Sequence, residues 1–471
     1  MSRLRAYFTL DPRSLAAFRV GLGLVLLYHF LDRARELEAH YTDFGVLPRA
    51  ALSTLSARPI YSLHMLGGSG AYQAALLAVS ALAAVFLTVG LFTRAACVLA
   101  YVLLFSVQQR NPVLVHGQDA FMLTLLTWAL FLPLGAAWSL DARRQRRPTA
   151  PSALSAGSVG LALQPWILYA VVTVSKLQYP AWTEGRAVYA LLHKAHYVRP
   201  LGALALQIPG FTAFATYATL ACEIAILVLL TSPWRIERAR TSAFALNTAF
   251  HGVLFCMVDV GLFQPLAILS VVPLLPGSAW NRFAWTAAST PPALATPTPR
   301  TPVAWLGEGL CVAIIIASLV SVPPSFLVEP VRYPEPLASI YYHFRLERRY
   351  RMFANMDATP QGWWGMVGTL EDGRTVDAVA GPRHVHPLRP NSEPPRQPTD
   401  EWQSYLSQLA TPQLRAMRPY LAEYFCRRWN RDARAGQRMT AIEMLQMKQD
   451  ATHPDRPITR KRSTLLRGPC P

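Results

Sequence analysis

Long apolar runs separated by short polar stretches make up the first two thirds of the chain. A helix needs about 20 mostly apolar residues to cross a hydrocarbon core of about 30 Å. Stretches close to that length occur at 15–31, 70–92, 95–109, 119–137, 159–177, 207–231, 241–258, 261–276 and 303–322. The pattern therefore predicts a polytopic membrane protein with about nine transmembrane helices.

The polar residues after position 322, called the tail below, show shorter patterns. Runs on both sides of Asp372-Gly373 predict two strands joined by a tight turn. Apolar positions at helical spacing predict helix over 401–449. Residues 382–400 are rich in proline and predict a linker, and the end of the chain around Arg460-Lys461-Arg462 is predicted to be disordered.

The predicted fold class is an all-α polytopic membrane bundle with a small extracytoplasmic α+β C-terminal domain, divided into residues 1–322 and 323–471. Composition agrees, because 52% of the residues are hydrophobic and only 15% are charged, against about 25% charged in soluble domains. The net charge of +18 would suit a nucleic-acid partner. However, the basic residues lie in short clusters between apolar runs, and no nucleic-acid-reading motif accompanies them, so we expect no nucleic-acid partner.

The arginines in the loops predict the orientation of the bundle. Alternate loops carry the arginine clusters, at positions 3–5, 94, 143–147, 235–240 and 282–300. The positive-inside rule assigns these loops to the cytoplasm. The amino terminus is then cytoplasmic and the tail extracytoplasmic, and no cleavable signal peptide is evident.

Two ionisable residues fall within predicted spans, Arg19 in the first and Glu223 in the sixth. A charge in hydrocarbon costs at least about 2.5–3.5 kcal/mol, so such residues tend to find partners. We expect Arg19 and Glu223 to form a structural ion pair across the bundle, with a proton relay as the alternative.

A candidate site lies at the outer ends of the spans. Lys176, one of only four lysines, ends the fifth span, while His116 and Asp119 precede the fourth span and His251 lies within the seventh. Burial can turn a lysine into a neutral base, which an arginine cannot become, and a histidine can stabilise an oxyanion or pass a proton. Snorkelling of Lys176 to the headgroups is the alternative. Such a site would suit a lipid-soluble quinol.

The cysteines show no metal-ligand spacing, so no metal site is predicted. Cys426 and Cys470 lie in the tail and could pair if the tail is extracytoplasmic.

Several short motifs resemble one known family. They are Ser14 to Gly23, the loop Asn111 to Asp119, Trp138-Ser139-Leu140-Asp141, Ser175-Lys176-Leu177 with Trp182 and Gly185, and Phe250-His251 with Gly261-Leu262-Phe263. In this order and spacing, over most of residues 10–280, they resemble the HTTM (horizontally transferred transmembrane) domain proteins. That superfamily includes vitamin K-dependent γ-carboxylase.

The resemblance implies that Lys176 deprotonates reduced vitamin K or menaquinol, with oxygen and carbon dioxide as co-substrates. It supports epoxidation of the quinol better than carboxylation of a protein glutamate. His251 would orient or stabilise the oxyanions. The carboxylase has a functional histidine in the loop that matches 111–119, a role open here to His116, Gln118 or Asp119. The carboxylase has a lysine pair where this chain has Ser175-Lys176, and its lumenal region is much longer.

The expected protein is thus an integral membrane enzyme, of the bacterial inner membrane, that contacts the lipid bilayer, a lipid-soluble quinol and a secreted peptide. The alternatives are a non-catalytic accessory protein for maturation or export of such a peptide, and a quinone or lipid carrier.

Overall fold

A computed structural model provides the coordinates of the protein. It describes residues 5, 7–145, 154–194, 197–282, 302–322, 333–346, 352–356, 361–379, 400–434, 436–450, 453–456 and 458–471.

Long helices dominate the first 322 residues. In chain order they are α1 (Pro12–Arg35), α2 (Gly70–Val89), α3 (Thr93–Arg110), α4 (Gly117–Ala129), α5 (Ala156–Leu177), α6 (Phe211–Thr231), α7 (Ile236–Met257), α8 (Phe263–Val271) and α9 (Pro302–Val320). Short helices connect them at Leu37–Tyr41, Arg49–Leu55, Leu63–Met65, Pro112–Leu114, Leu140–Gln145, Pro180–Thr183, Ala187–Leu192, Pro200–Ala205, Val272–Leu274 and Gly277–Trp280.

Local sequence explains where these helices begin and end. Asp11 precedes α1, and its side chain accepts a hydrogen bond from the backbone N–H of Arg13, with Pro12 in the first turn. Ser69 caps α2 in the same way. Gly90 ends α2 with a φ of 70°, a left-handed conformation that glycine adopts without steric cost.

Among the described residues, five helices are long and apolar enough to cross a membrane: α1, α2, α5, α6 and α9. The protein is therefore a membrane protein, but the predicted nine spans are not confirmed. The other long helices differ for local reasons. α3 ends in Gln108-Gln109-Arg110 and α7 begins beside Glu237 and Arg238, while α4 has only 13 residues and α8 has nine.

Arg19 on α1 is fully buried and binds backbone instead of a carboxylate. Its Nη1 donates to the carbonyls of Leu134 (3.0 Å) and Ala137 (3.2 Å), and its Nη2 donates to the carbonyl of Trp138 (2.6 Å). Arg19 thereby fastens the segment after α4 to α1. The predicted ion pair with Glu223 is wrong, because carbonyls occupy both terminal guanidinium nitrogens and Glu223 has another partner, described below.

The tail contains a four-stranded antiparallel sheet in the order β2-β1-β3-β4. Its strands are β1 (Gln361–Leu370), β2 (Thr375–Asp377), β3 (Met439–Asp450) and β4 (Thr459–Pro469), and its helices are Leu337–His343, α10 (Asp400–Leu409), Pro412–Met417 and α11 (Arg418–Asp432). The small α+β region is therefore confirmed, while the division after residue 322 and the extracytoplasmic placement stay predictions.

The tail predictions are confirmed where an element pairs with its neighbour in the sequence and are wrong where it pairs with a distant segment. The hairpin of β1 and β2 is confirmed, with Gly373 in the turn at a φ of 80°. The helical prediction for 401–449 is wrong over β3, and the predicted disorder at the chain end is wrong because β4 pairs with β3 there. The predicted linker at 382–400 lies outside the described residues, except for Asp400.

A disulfide fastens the end of the tail. Cys426 of α11 is bonded to Cys470, which follows β4. The predicted pairing of Cys426 with Cys470 is thus confirmed. It fixes the last strand to a buried helix.

The tail packs on the segment that follows α1. Nη1 of Arg431 lies 2.8 Å from Oε1 of Glu38, and Nη2 of Arg427 donates to the carbonyl of Phe44 (3.0 Å). The Phe44 ring also contacts the ring of Tyr424 edge to face. α11 is therefore held against the same end of the bundle at which α1 ends.

Candidate functional site

Lys176, the predicted base, lies at the end of α5 in a buried ion pair. Its Nζ donates a hydrogen bond to Oε1 of Glu223 on α6, and only 6% of Lys176 and 4% of Glu223 is exposed. Nζ also lies 4.5 Å from the centroid of the Trp182 ring, which favours a cation. A snorkelling lysine would keep its nitrogen in the polar headgroup layer, so this geometry favours a buried role.

Helical spacing brings further polar groups to this pair. Tyr169 and Lys176 are seven residues apart on α5, and Asn247 and His251 are four apart on α7, so each pair shares one helix face. α6 packs against both α5 and α7. The charge of Lys176 acts on His251, and that of Glu223 acts on Tyr169.

A chain of hydrogen bonds determines the tautomer of His251. Nδ2 of Asn247 donates to the carbonyl of Ala267 (3.2 Å), so its Oδ1 faces Tyr169 and accepts a hydrogen bond from the hydroxyl of that residue. The Tyr169 oxygen must then accept a hydrogen bond from Nε2–H of His251, 2.9 Å away. In the neutral ring this leaves Nδ1 as an acceptor, and Nδ1 is buried without a partner among the described residues.

Trp182 connects the Lys176 pair to the tail. Its Nε1 donates to the carbonyls of Phe353 (2.8 Å) and Ala354 (3.1 Å). Phe353 has a φ of 58°, a left-handed conformation that costs a residue with a side chain about 1–3 kcal/mol and persists only where its surroundings enforce it. The tail segment 352–356 thus holds the indole that faces the amine.

His116 and Asp119 lie in a second buried cluster, organised by Arg33 of α1. Nη2 of Arg33 donates to Oδ1 of Asp119 (3.0 Å), and Nη1 lies 3.0 Å from Oε1 of Glu401 in the tail. Oδ2 of Asp119 accepts a hydrogen bond from the backbone N–H of His116 (2.9 Å), which caps α4. Asp119 is therefore a structural cap and an ion-pair partner at once.

Unpartnered acceptors surround this second cluster. The amide nitrogens of Gln108 and Asn111 donate to the carbonyls of Asp119 and His40. Their amide oxygens, and Nε2 of His29, are buried without a hydrogen-bond partner among the described residues. The gap that these side chains line has no room for a water molecule in this conformation.

Burial shifts the titration of the groups in this cluster that lie outside the spans. It raises the pKa of Glu401 to about 7, although Arg33 acts in the opposite direction. It lowers the pKa of His40 to about 3 and also lowers the pKa of His116. Glu401 is thus the carboxyl here that changes charge near neutral pH, while both imidazoles are neutral.

The four predicted site residues therefore divide between two places. Lys176 and His251 lie together, whereas His116 and Asp119 belong to the Arg33 cluster. Phe263 lies between α7 and α4, since its ring centroid is 6.1 Å from that of His251 and 6.3 Å from that of Phe121 on α4.

Four polar residues of these two clusters were not predicted from the sequence. Helical spacing from Lys176 and His251 could have indicated Tyr169 and Asn247. No sequence signal pointed to Arg33 or Glu401, because they meet only through the packing of the tail.

The HTTM domain is the family description that matches the chain, over residues 7–280, which is more than half of its length. The chain belongs to the HTTM domain family. It is accordingly a membrane protein of the carboxylase-like superfamily. No curated protein and no solved structure matches the chain. The HTTM match includes Lys176, Glu223 and His251, whereas Phe353 and Glu401 lie beyond its end.

Proposed function

We propose that this HTTM protein is a γ-carboxylase-like enzyme that uses a reduced quinone, such as menaquinol, and oxygen at the Lys176 site. Quinol epoxidation would drive the addition of carbon dioxide to a glutamate of a secreted peptide. The observation that supports this most is the buried pair of Lys176 and Glu223 beside the unpartnered nitrogen of His251. Buried ionisable groups that face one another on neighbouring membrane helices are typical of functional sites.

The polar groups around the pair fit a phenolic ligand. Oε2 of Glu223 and Nδ1 of His251 are buried without hydrogen-bond partners among the described residues, as are two hydroxyls of α5, Oγ1 of Thr173 and Oγ of Ser175. Buried polar groups are ordinarily satisfied, so such a set favours a polar ligand. A bound quinol would supply the phenolic protons and the electrons that reduce oxygen.

The residues of the chain provide proton transfer and orientation. When the Lys176 proton moves from Nζ to Oε1 of Glu223, the amine becomes free to accept a proton from a hydroxyl nearby. Nδ1 of His251 can accept a hydrogen bond from a second hydroxyl and orient it. If that nitrogen gains a proton, it becomes a donor that stabilises an oxyanion.

The test follows product formation by the purified protein in nanodiscs. Reduced menaquinone and oxygen are supplied, and the epoxide is measured by mass spectrometry. We expect Lys176→Ala and Lys176→Arg to lose activity by about 10²–10⁴-fold, the usual contribution of a general base. Arginine keeps the charge but cannot release its proton. Lys194→Arg, a change at another buried lysine, is the matched control and should remain active.

Three outcomes would overturn the proposal. Equal epoxide from the wild type and Lys176→Arg would remove Lys176 as the base. If the wild type binds menaquinol, measured by quenching of tryptophan fluorescence, but makes no epoxide, the protein is a carrier. Neither binding nor product would indicate the accessory role.

A further inference from the structure

β4 is the edge strand of the tail sheet. It pairs with β3 on one side, and no strand among the described residues pairs with its other side. The register shifts at Leu465, whose carbonyl accepts a hydrogen bond from Nη1 of Arg418 (3.0 Å). The regular, unpaired edge is therefore Thr459–Thr464, roughly 20 Å long at about 3.4 Å per residue.

This edge is strongly basic. Residues 456–467 contain five basic side chains and no acidic one. Lys461 lies directly opposite Lys448 on β3, and both are exposed. Like charges in facing positions destabilise a sheet. Among the described residues, Glu443 is the one carboxylate that pairs with this strand, at Arg462 (3.4 Å).

Basic side chains on an edge can also serve to prevent aggregation. A short strand or a bulge is another such protection. β4 is 11 residues long and fixed at its end, and its bulge at Leu465 lies outside Thr459–Thr464. Cys470 is bonded to Cys426, and its N–H donates to the carbonyl of Thr440 (2.8 Å). An unpaired edge that is anchored at its end and carries more basic charge than Glu443 can neutralise is a template for strand addition.

We infer that the edge Thr459–Thr464 binds an extended peptide rich in acidic side chains, which adds to the sheet as a fifth strand. Backbone hydrogen bonds supply the pairing, and Arg460, Lys461 and Lys448 supply the charge complement. This deepens the proposed function, since it names the class of peptide that would be presented for carboxylation. Binding itself requires neither quinol nor turnover.

The test measures the anisotropy of a fluorescent eight-residue peptide that alternates glutamate and valine. The full-length protein is held in nanodiscs of neutral phosphatidylcholine. We expect binding that weakens with added salt, because salt screens exposed charges. The double change Arg460→Glu with Lys461→Glu should weaken binding by at least about tenfold, which corresponds to about 1.4 kcal/mol. Arg434→Glu with Arg438→Glu, an exposed pair outside β4 with the same change in net charge, should leave it unchanged.

Backbone methylation separates strand addition from plain charge attraction. Two peptides are N-methylated at every second residue, one at the odd positions and one at the even positions (the two phases). Both keep their carboxylates, but each lacks the N–H donors along one of its two edges. The phase that blocks the edge facing β4 should lose binding. If both phases bind as tightly as the parent, strand addition is wrong. If the control variant loses as much affinity as the β4 variant, the site is wrong.

If the protein captures anionic vesicles through Lys461 but not the peptide, the edge is a membrane contact. Epoxide formation is assayed separately with menaquinol alone. A loss of peptide binding with intact epoxidation contradicts only this inference, and the reverse result contradicts only the proposed function.

Discussion

Glu223 accepts a hydrogen bond from the side-chain nitrogen of Lys176, so a carboxylate of α6 meets an amine of α5 inside the bundle. Each residue is almost fully buried. The pair satisfies two charges that would otherwise oppose the burial of these helices. It also places a proton acceptor directly beside the candidate base.

Breaking this pair from one side should be more damaging than removing it. Lys176→Met leaves the Glu223 carboxylate buried and unpaired, and we expect a loss of about 3–5 kcal/mol in the free energy of unfolding. The double variant with Glu223→Leu should recover part of that loss. The measurement is a double-mutant cycle by denaturant titration in detergent. Additive losses would show that the two residues are not coupled.

Glu38→Gln is the control for that cycle. Glu38 pairs with Arg431, and both side chains are about half exposed. Exposed pairs contribute about 1 kcal/mol or less. A loss at Glu38 as large as that at Lys176 would indicate a general effect of charge removal.

Tyr169→Phe should remove the hydrogen bond that orients the His251 ring. The change removes the oxygen that accepts from Nε2–H and leaves Oδ1 of Asn247 without its donor. We expect a loss of about 1–3 kcal/mol in stability, the cost of buried unsatisfied groups. Epoxide formation should fall by about a hundredfold, as small misplacements of reacting groups can cost. Tyr420→Phe in the tail is the control, and unchanged turnover in Tyr169→Phe would remove the ring from the mechanism.

The stability of the protein should depend on pH through Glu401. Burial raises the pKa of Glu401 from 4.5 to about 7, so the folded state binds its proton more tightly than the unfolded state does. Its contribution is fully present below about pH 4.5 and is lost as the pH rises through 7, to a total of about 3 kcal/mol. Glu401→Gln should remove this decline from a stability curve measured between pH 4 and 8.

The buried His40 changes stability with pH in the opposite direction to Glu401, which makes the two variants easier to distinguish. Burial lowers the pKa of His40 from 6.5 to about 3, so its contribution to stability increases with pH across that interval. The curve of Glu401→Gln should therefore rise up to about pH 6.5. Glu423→Gln, at a half-exposed carboxylate near Arg427, should follow the wild type. A wild-type curve that rises as steeply as that of Glu401→Gln would contradict the assignment.

The disulfide should stabilise the tail and report its location. Replacing Cys426 and Cys470 by serine should lower the stability of the tail by about 2–5 kcal/mol, as for other native disulfides. Disulfides form in oxidising compartments outside the cytoplasm. If the tail is extracytoplasmic, expression in cells that lack the periplasmic thiol oxidase should yield free thiols, measured by maleimide labelling. A bond that forms equally well in those cells would contradict the predicted orientation.

Local patterns predicted the parts of the fold that depend on neighbouring residues. The Asp372-Gly373 turn and the apolar helices α1, α2, α5, α6 and α9 follow from spacing and length alone. β4 could not be predicted from its own sequence, since its polar residues become a strand only by pairing with β3. The helical pattern over 439–449 failed for the same reason.

Pairing between helices was the least predictable feature. The sequence identified Lys176, His251 and Glu223 as unusual, but the rotation of each helix decides which side chains meet. Arg19 therefore binds carbonyls, and Glu223 meets Lys176. His116 and Asp119 share the predicted side of the membrane with Lys176. Asp119 nevertheless pairs with Arg33, which also pairs with Glu401 of the tail.

The indole N–H of Trp182 is hydrogen-bonded to two carbonyls of the tail, and its ring covers the Lys176 amine. A version of the chain cut after residue 322 would keep α1 to α9 but lose the two carbonyls that hold the indole over that amine. Reconstitution of residues 1–322 should thus yield an inserted but inactive protein, and expression plans for this chain should retain residues 352–356.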